Sequence, residues 1–121
     1  MNKKTGIARV FSAFSNSSAG FVFLAKNEAA FKQEAIAFMV LSPIAFFWGN
    51  SLTEVAVLLM SLFIVIIVEI INTAIEAVID RIGSEYHQLS GLAKDLGSAA
   101  VLTSILMLVI VWSVVGWNNF N

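Results

Sequence analysis

The sequence predicts an all-α integral membrane protein: one amphipathic helix on the membrane surface, then three transmembrane helices, in a single domain of 121 residues. Three observations carry that prediction. Apolar residues make up 59% of the chain and charged residues only 12%, about half the charged share that a soluble domain uses to cover its surface. Three apolar segments each reach the roughly 20 residues needed to cross the hydrocarbon core. The middle segment opens on VAVLLMSLFIVIIV, residues 55–68, and then turns acidic while still at bilayer depth.

The surface helix is placed at 5–26. Ile7, Val10, Phe11, Phe14, Phe21 and Leu24 fall mostly at helical spacing, with Arg9, Ser12, Asn16 and Ser17 opposite. That pattern suits a helix lying in the interface plane, its Phe side chains in lipid and Arg9 and Lys26 near headgroups. Gly20 and the serines lower its intrinsic helicity. The first span is 29–48, with Pro43 inside it as a kink point for neighbouring helices to compensate. Gly49-Asn50-Ser51 makes the turn. The second span is 54–80, apolar to Ile75 and polar beyond it. A connection containing Gly83, Glu85, Tyr86, His87 and Gly91 leads to the third span, 96–117.

Charge excludes some functions and sets orientation. A net charge of −1 and a pI near 5.7 carry no nucleic-acid signature. With no cysteine there is no disulfide, zinc-thiolate site or thiol chemistry. Lys3 and Lys4 are followed by too many serines to make a signal peptide. Lys3, Lys4, Arg9, Lys26 and Lys32 precede the first span, Arg81 and Lys94 lie between the second and third, and the other connection and the C-terminus have none. The positive-inside rule therefore places the N-terminus and the second connection in the cytoplasm, with Trp48 and Trp117 as aromatic anchors at the outer interface.

The polar residues of the second span form one stripe. At 100° per residue, Asn72, Glu76 and Asp80 project at about −60°, −20° and +20° from Glu69. Carboxylates at bilayer depth are costly and point to function by default. Measured from the outer ends at about 1.5 Å per residue, Glu34 and Glu69 both lie about 21–23 Å up, Glu28 and Glu76 about 30–33 Å, and Lys94 about 35 Å. Two layers result. The upper one, with Asp80 and Asp95 beside Glu28, Glu76 and Lys94, faces the cytoplasm and offers the few carboxylates with which Mg²⁺ is held alongside phosphate oxygens. Lys94 can meet a phosphate as a point charge. The lower layer puts Glu69 where the hydroxyl of a lipid would sit, as a general base.

Other readings of these residues exist. Asn72 also suits an interhelical hydrogen bond, His87 a solvated loop, and Gly97-Ser98-Ala99-Ala100 a close-packing face. There is no GxxxxGK[ST] loop, no kinase catalytic loop and no GxGxxG. From the physics alone, a small cation-coupled transporter subunit fits nearly as well as an enzyme.

Four segments carry a resemblance that separates these. EIINTAIEAVIDR (69–81), KDLGSAAV (94–101), NEAAFKQE (27–34) and RIGSEYH (81–87) closely resemble the small prokaryotic diacylglycerol kinases, over almost the whole chain. The resemblance implies a homotrimer in the cell inner membrane, each subunit an interface helix plus three spans. It also implies transfer of the ATP γ-phosphoryl group to diacylglycerol with Mg²⁺. It assigns Glu69 as base, and Glu28 and Glu76 to metal and nucleotide. Arg9, Glu85, Tyr86, His87, Lys94 and Asp95 are assigned to ATP. Ala30, Phe31, Glu34, Asn72 and Ser98 border the lipid crevice, and Trp48, Trp112 and Trp117 contact acyl chains.

The chain departs from that pattern in places. Asn16 stands where an aromatic residue is common, Ser18, Ala19 and Val22 replace Trp or basic residues, and Leu92 replaces an Arg near the nucleotide. Within the same fold, undecaprenol kinases are the alternative, and the 81–87 run is more like the diacylglycerol branch from Gram-negative bacteria.

Overall fold

The computed structural model describes residues 5–121, so Lys3 and Lys4 of the orientation argument lie outside the described residues. Four helices account for nearly all of it: α1 (Gly6–Asn27), α2 (Ala29–Trp48), α3 (Leu52–Ile82) and α4 (Gln88–Phe120). Among the described residues there is no strand. All four helices are long and apolar enough to cross a membrane, α1 included. The chain divides into two compact units, one ending at Gln33 and one running from Glu34 to Asn121.

In the first unit, α1 opens on Gly6 at φ 60°, a left-handed conformation that glycine takes without strain. The serines that weaken α1 are accommodated by bonding backward: Ser17 and Ser18 donate to the carbonyls of Ala13 and Phe14. Asn27 donates to Phe23 O at 2.9 Å. Glu28 is the one residue between α1 and α2, in extended conformation. Its amide still reaches Leu24 O, and its carbonyl accepts from Lys32 N. Phe21 and Phe31 pack with ring centroids 6.3 Å apart. Ile7, Val10, Phe11 and Phe14 are exposed, an apolar face that water would penalise and lipid would not.

The second unit is built around the α3–α4 hairpin, closed by residues 83–87. Ser51 caps α3 by accepting from Glu54 N, and Glu54 lies in the first turn where the helix dipole favours it. At the other connection, His87 caps α4 by accepting from Leu89 N through Nδ1. This cap starts α4 at Gln88, so Gly91, Lys94 and Asp95 lie within its first turns and not in a connection. With 31 and 33 residues, α3 and α4 are about 46–50 Å long and outrun the hydrocarbon core. Helices extend past the spans because helix length follows capping, whereas span length follows hydropathy.

The core sits toward the α2–α3 turn and the C-terminal half of α4, where Ala45, Val55, Leu58, Leu62 and Trp112 are buried together, flanked by Phe38, Leu41, Trp48 and Leu108. Phe38 meets Phe63 edge-on at 4.8 Å. Gly116 lets α4 approach the Trp48 indole so closely that a Cβ there would lie 2.5–2.9 Å from three ring atoms. Small residues at such crossings are the usual way for helices to pack in lipid.

Candidate active site

The buried stripe of α3, Val55, Leu58, Ser61, Leu62 and Val65, ends on a carboxylate. Glu69 is 4% exposed and follows directly on the apolar run, so its burial comes from helical phase: it occupies the core-facing position one turn beyond Val65. The Glu34 carboxyl lies close enough to Glu69 to interact with it electrostatically, as the equal heights of the two residues anticipate. One Glu34 oxygen, Oε2, is buried without a hydrogen-bond partner among the described residues. Two acidic groups and an open acceptor therefore share one layer. Such a layer fits a ligand that brings a hydroxyl donor.

About one turn further along α3, Asn72 Nδ2 donates to Glu76 Oε1 at 3.2 Å. Asn72 Oδ1 is buried without a hydrogen-bond partner and lies against the backbone of Gly97 on α4. Glu76 is half-buried, with its second oxygen left for a further ligand. Beyond it, Lys94 Nζ pairs with Asp80 Oδ1 at 3.1 Å, their side chains 46% and 69% exposed. An ion pair so exposed is worth little, so Asp80 holds Lys94 only weakly.

A surface recess of about 630 Å³ lies at the α3–α4 connection, lined by Gly83, Ser84, Glu85, Tyr86, His87 and Ser90. Three residues assigned to ATP thus share one recess, with His87 also engaged as the helix cap. Asp95 and Ser98 are exposed on α4. In the first unit, Arg9 and Ala30 are exposed, Glu28 half-buried and Phe31 buried. Asn16, Ser18, Ala19, Val22 and Leu92, where the chain departs from the family pattern, are all exposed.

The donor set suits a hard cation. Among the described residues no three His, Cys, Asp or Glu side chains converge into a metal cage. Magnesium is commonly bound by one or two carboxylates plus phosphate oxygens, so a single half-buried carboxylate such as that of Glu76 is of the right chemistry for that ion.

The tryptophans separate into two kinds. Trp112 is buried, donating from Nε1 to Ser61 Oγ at 3.1 Å, and Ser61 is 2% exposed. Trp48 Nε1 donates to Trp112 O at 2.8 Å, and its ring packs at a tilt against Phe120, centroids 4.9 Å apart. Asn119 closes this end, donating to Trp48 O and to Glu54 Oε1. Trp117 is 74% exposed and is the tryptophan most available to acyl chains. This tryptophan clamp was not anticipated from the sequence. Its signal was Ser61, the one polar residue inside an otherwise unbroken apolar run.

The prokaryotic diacylglycerol kinase family model matches residues 15–115. The chain is 47% identical to a diacylglycerol kinase of Escherichia coli strain K12 over 99% of this chain and 98% of that one. It is 39% identical to that of Haemophilus influenzae strain Rd, covering 93% and 95% of the two chains. For Pseudomonas aeruginosa strain PAO1 the figures are 38% identity with 93% and 91% covered. The model and the relatives cover the α3 stripe, the α3–α4 connection and the buried Glu69 layer alike, and the chain belongs to the prokaryotic diacylglycerol kinase family.

Proposed function

We propose that this chain is a diacylglycerol kinase, transferring the γ-phosphoryl group of ATP to the free hydroxyl of diacylglycerol to give phosphatidic acid and ADP. The observation that carries the reading is Glu69: a carboxyl group 4% exposed, directly following an apolar membrane-spanning run, in a chain 47% identical over nearly its whole length to a diacylglycerol kinase. A buried carboxylate at that depth has an amphiphile's headgroup region within reach and the cytoplasmic polar layer two turns above.

The chemistry follows from position. Glu69 takes the proton of the lipid hydroxyl as its oxygen attacks the γ-phosphorus, and the bond from phosphorus to the β,γ-bridging oxygen breaks as ADP leaves. Glu34, with its open acceptor, orients the hydroxyl. Lys94 neutralises phosphate charge, and Glu85, Tyr86, His87, Arg9 and Asp95 hold the nucleotide. Magnesium, when bound through Glu76 and Glu28, supplies charge neutralisation on the phosphates. In-line positioning and neutralisation are most of what phosphoryl transfer requires.

The same reading places α1 flat at the membrane surface, with α2, α3 and α4 as the spans. It places the N-terminus and the α3–α4 connection on the cytoplasmic side of the inner membrane. Three copies share sites, so that Glu28 of one subunit serves Glu76 of another.

The test is a mixed-micelle phosphoryl-transfer assay with γ-labelled Mg-ATP, offering dioleoylglycerol and undecaprenol in parallel. Labelled phosphatidic acid as the main product is expected. Labelled undecaprenyl phosphate would move the chain to the other lipid. No product from either, with ion flux in proteoliposomes, would return the transporter reading.

A further inference from the structure

The contact between Asn72 and Gly97 has a consequence for Glu76. A Cβ built on Gly97 would collide with Asn72 Oδ1 and come within 3.2 Å of its Cγ. The Cα–H of Gly97 that points along the same direction therefore faces the amide oxygen, a weak C–H donor to an acceptor with no other partner. With Oδ1 turned to α4, Nδ2 is turned to Glu76 Oε1, 3.2 Å away. An amide turned the other way would set its oxygen against that carboxylate and its N–H₂ against a C–H.

We infer that Gly97 is a positioning residue for the kinase reaction: it admits the Asn72 amide in the one orientation that holds Glu76 in place to receive the metal–nucleotide complex. The inference rests on the diacylglycerol kinase reading and deepens it. Gly97 is buried although Ser98, Ala99 and Ala100 beside it are exposed. The close approach is thus specific to one residue of the small-residue run and is made with a polar side chain.

A substituted Cβ at 97 displaces the far end of a movable side chain, not backbone. The fold has a way to yield: Asn72 changes rotamer and its bond to Glu76 is lost. Helical backbone leaves Asn72 few alternative rotamers, since χ1 near +60° clashes with the preceding turn. Glu76 then loses a charge-assisted hydrogen bond and is free to sample orientations in which its open oxygen faces away from the ligand.

Gly97→Ala, Asn72→Ala and the double variant test this. The readout is the dissociation constant of Mn²⁺–AMP-PCP, followed by electron paramagnetic resonance of the Mn²⁺ in detergent-solubilised protein without turnover. KM for Mg-ATP and kcat are measured alongside. Each single variant is expected to weaken Mn²⁺–nucleotide binding about tenfold, the size of one lost charge-assisted hydrogen bond. KM for Mg-ATP should rise in step. The double variant, which carries the methyl at 97 but lacks the side chain that the methyl would displace, should bind no more weakly than Asn72→Ala alone. Losses that add across the double variant overturn the inference, and so does wild-type affinity in Gly97→Ala. Asn72→Ala removes the donor without crowding anything, so unchanged affinity in it is equally fatal even if Gly97→Ala does not fold. A wild-type protein that neither binds the nucleotide nor phosphorylates diacylglycerol would instead refute the kinase reading itself.

Discussion

Replacing Glu69 by Gln keeps the shape of the side chain and removes its capacity to accept a proton, so rate and stability should move in opposite directions. A general base contributes on the order of 10²–10⁴-fold, about 2.7–5.5 kcal/mol of barrier at 1.36 kcal/mol per decade. The stability side has two contributions from the structure. Glu69 is 4% exposed at a depth where a charge is costly, and it interacts electrostatically with the Glu34 carboxyl. Gln removes both penalties, a gain of about 1 kcal/mol by comparison with relieved strain at other functional sites, or roughly a few degrees of unfolding midpoint for a chain this size. The assay pairs kcat, at saturating dioleoylglycerol and Mg-ATP, with thermal unfolding of the same detergent preparation. The expected result is a kcat at least two decades lower with an equal or higher midpoint. A kcat within threefold of wild type removes Glu69 from the role of base. A fall in both quantities refutes the reasoning differently, by showing that the burial of Glu69 stabilises the fold.

Three further substitutions probe separate parts of the molecule. Glu76→Gln should raise KM for Mg-ATP well above its effect on KM for diacylglycerol, and an unchanged value for Mg-ATP would sink its assignment to the metal. Gly116→Ala should lower the unfolding midpoint by the equivalent of about 1–3 kcal/mol through overpacking against Trp48, with KM for both substrates retained in the folded fraction; differential scanning fluorimetry in detergent decides it. Asp80→Asn should shift stability by less than about 1 kcal/mol, because the pair with Lys94 is exposed; a larger loss by the same measurement would mean that the ion pair holds the α3–α4 hairpin together.

Much of this arrangement could be read from the chain because a bilayer restricts the solutions. Helix is the only open-ended element that satisfies its own backbone in lipid, so three apolar runs of sufficient length sufficed to anticipate α2, α3 and α4. Helical rise then put Glu34 level with Glu69, and the structure couples those two carboxyl groups. What rise and phase do not contain is the partner of each side chain. Asn72 was legible as a polar group on the Glu69 stripe, yet its orientation depends on the absence of one Cβ on another helix. Trp112 was assigned to acyl chains by the family resemblance, which says nothing of the hydrogen bond that its indole makes to Ser61 across the helix interface. His87 is exposed and outside the helices, as a solvated loop residue would be, but its capping through Nδ1 depends on backbone geometry at α4 that no periodicity announces. The start of α4 was missed for the same reason.

The two close-approach glycines of α4 suggest how a chain this small keeps its site in register. Gly116 receives the Trp48 indole of α2 near the C-terminal end of α4, and Gly97 receives the Asn72 amide of α3 near the N-terminal end of α4. They are separated by nineteen residues of one continuous helix, about 28 Å along its axis, close to the thickness of the hydrocarbon core. Between them Trp112 reaches across to Ser61. Apolar packing alone resists sliding poorly in lipid, where Leu against Leu is little better than Leu against an acyl chain. Steric points at both ends are more selective, because a shift of α4 by one residue would turn each glycine away by about 100° and bring a side chain with a Cβ toward Trp48 and Asn72. The Gly116 point sits among tryptophans. The Gly97 point uses the same device on a residue bonded to Glu76, so the constraint that registers the helices also orients the carboxylate proposed to receive the nucleotide's metal.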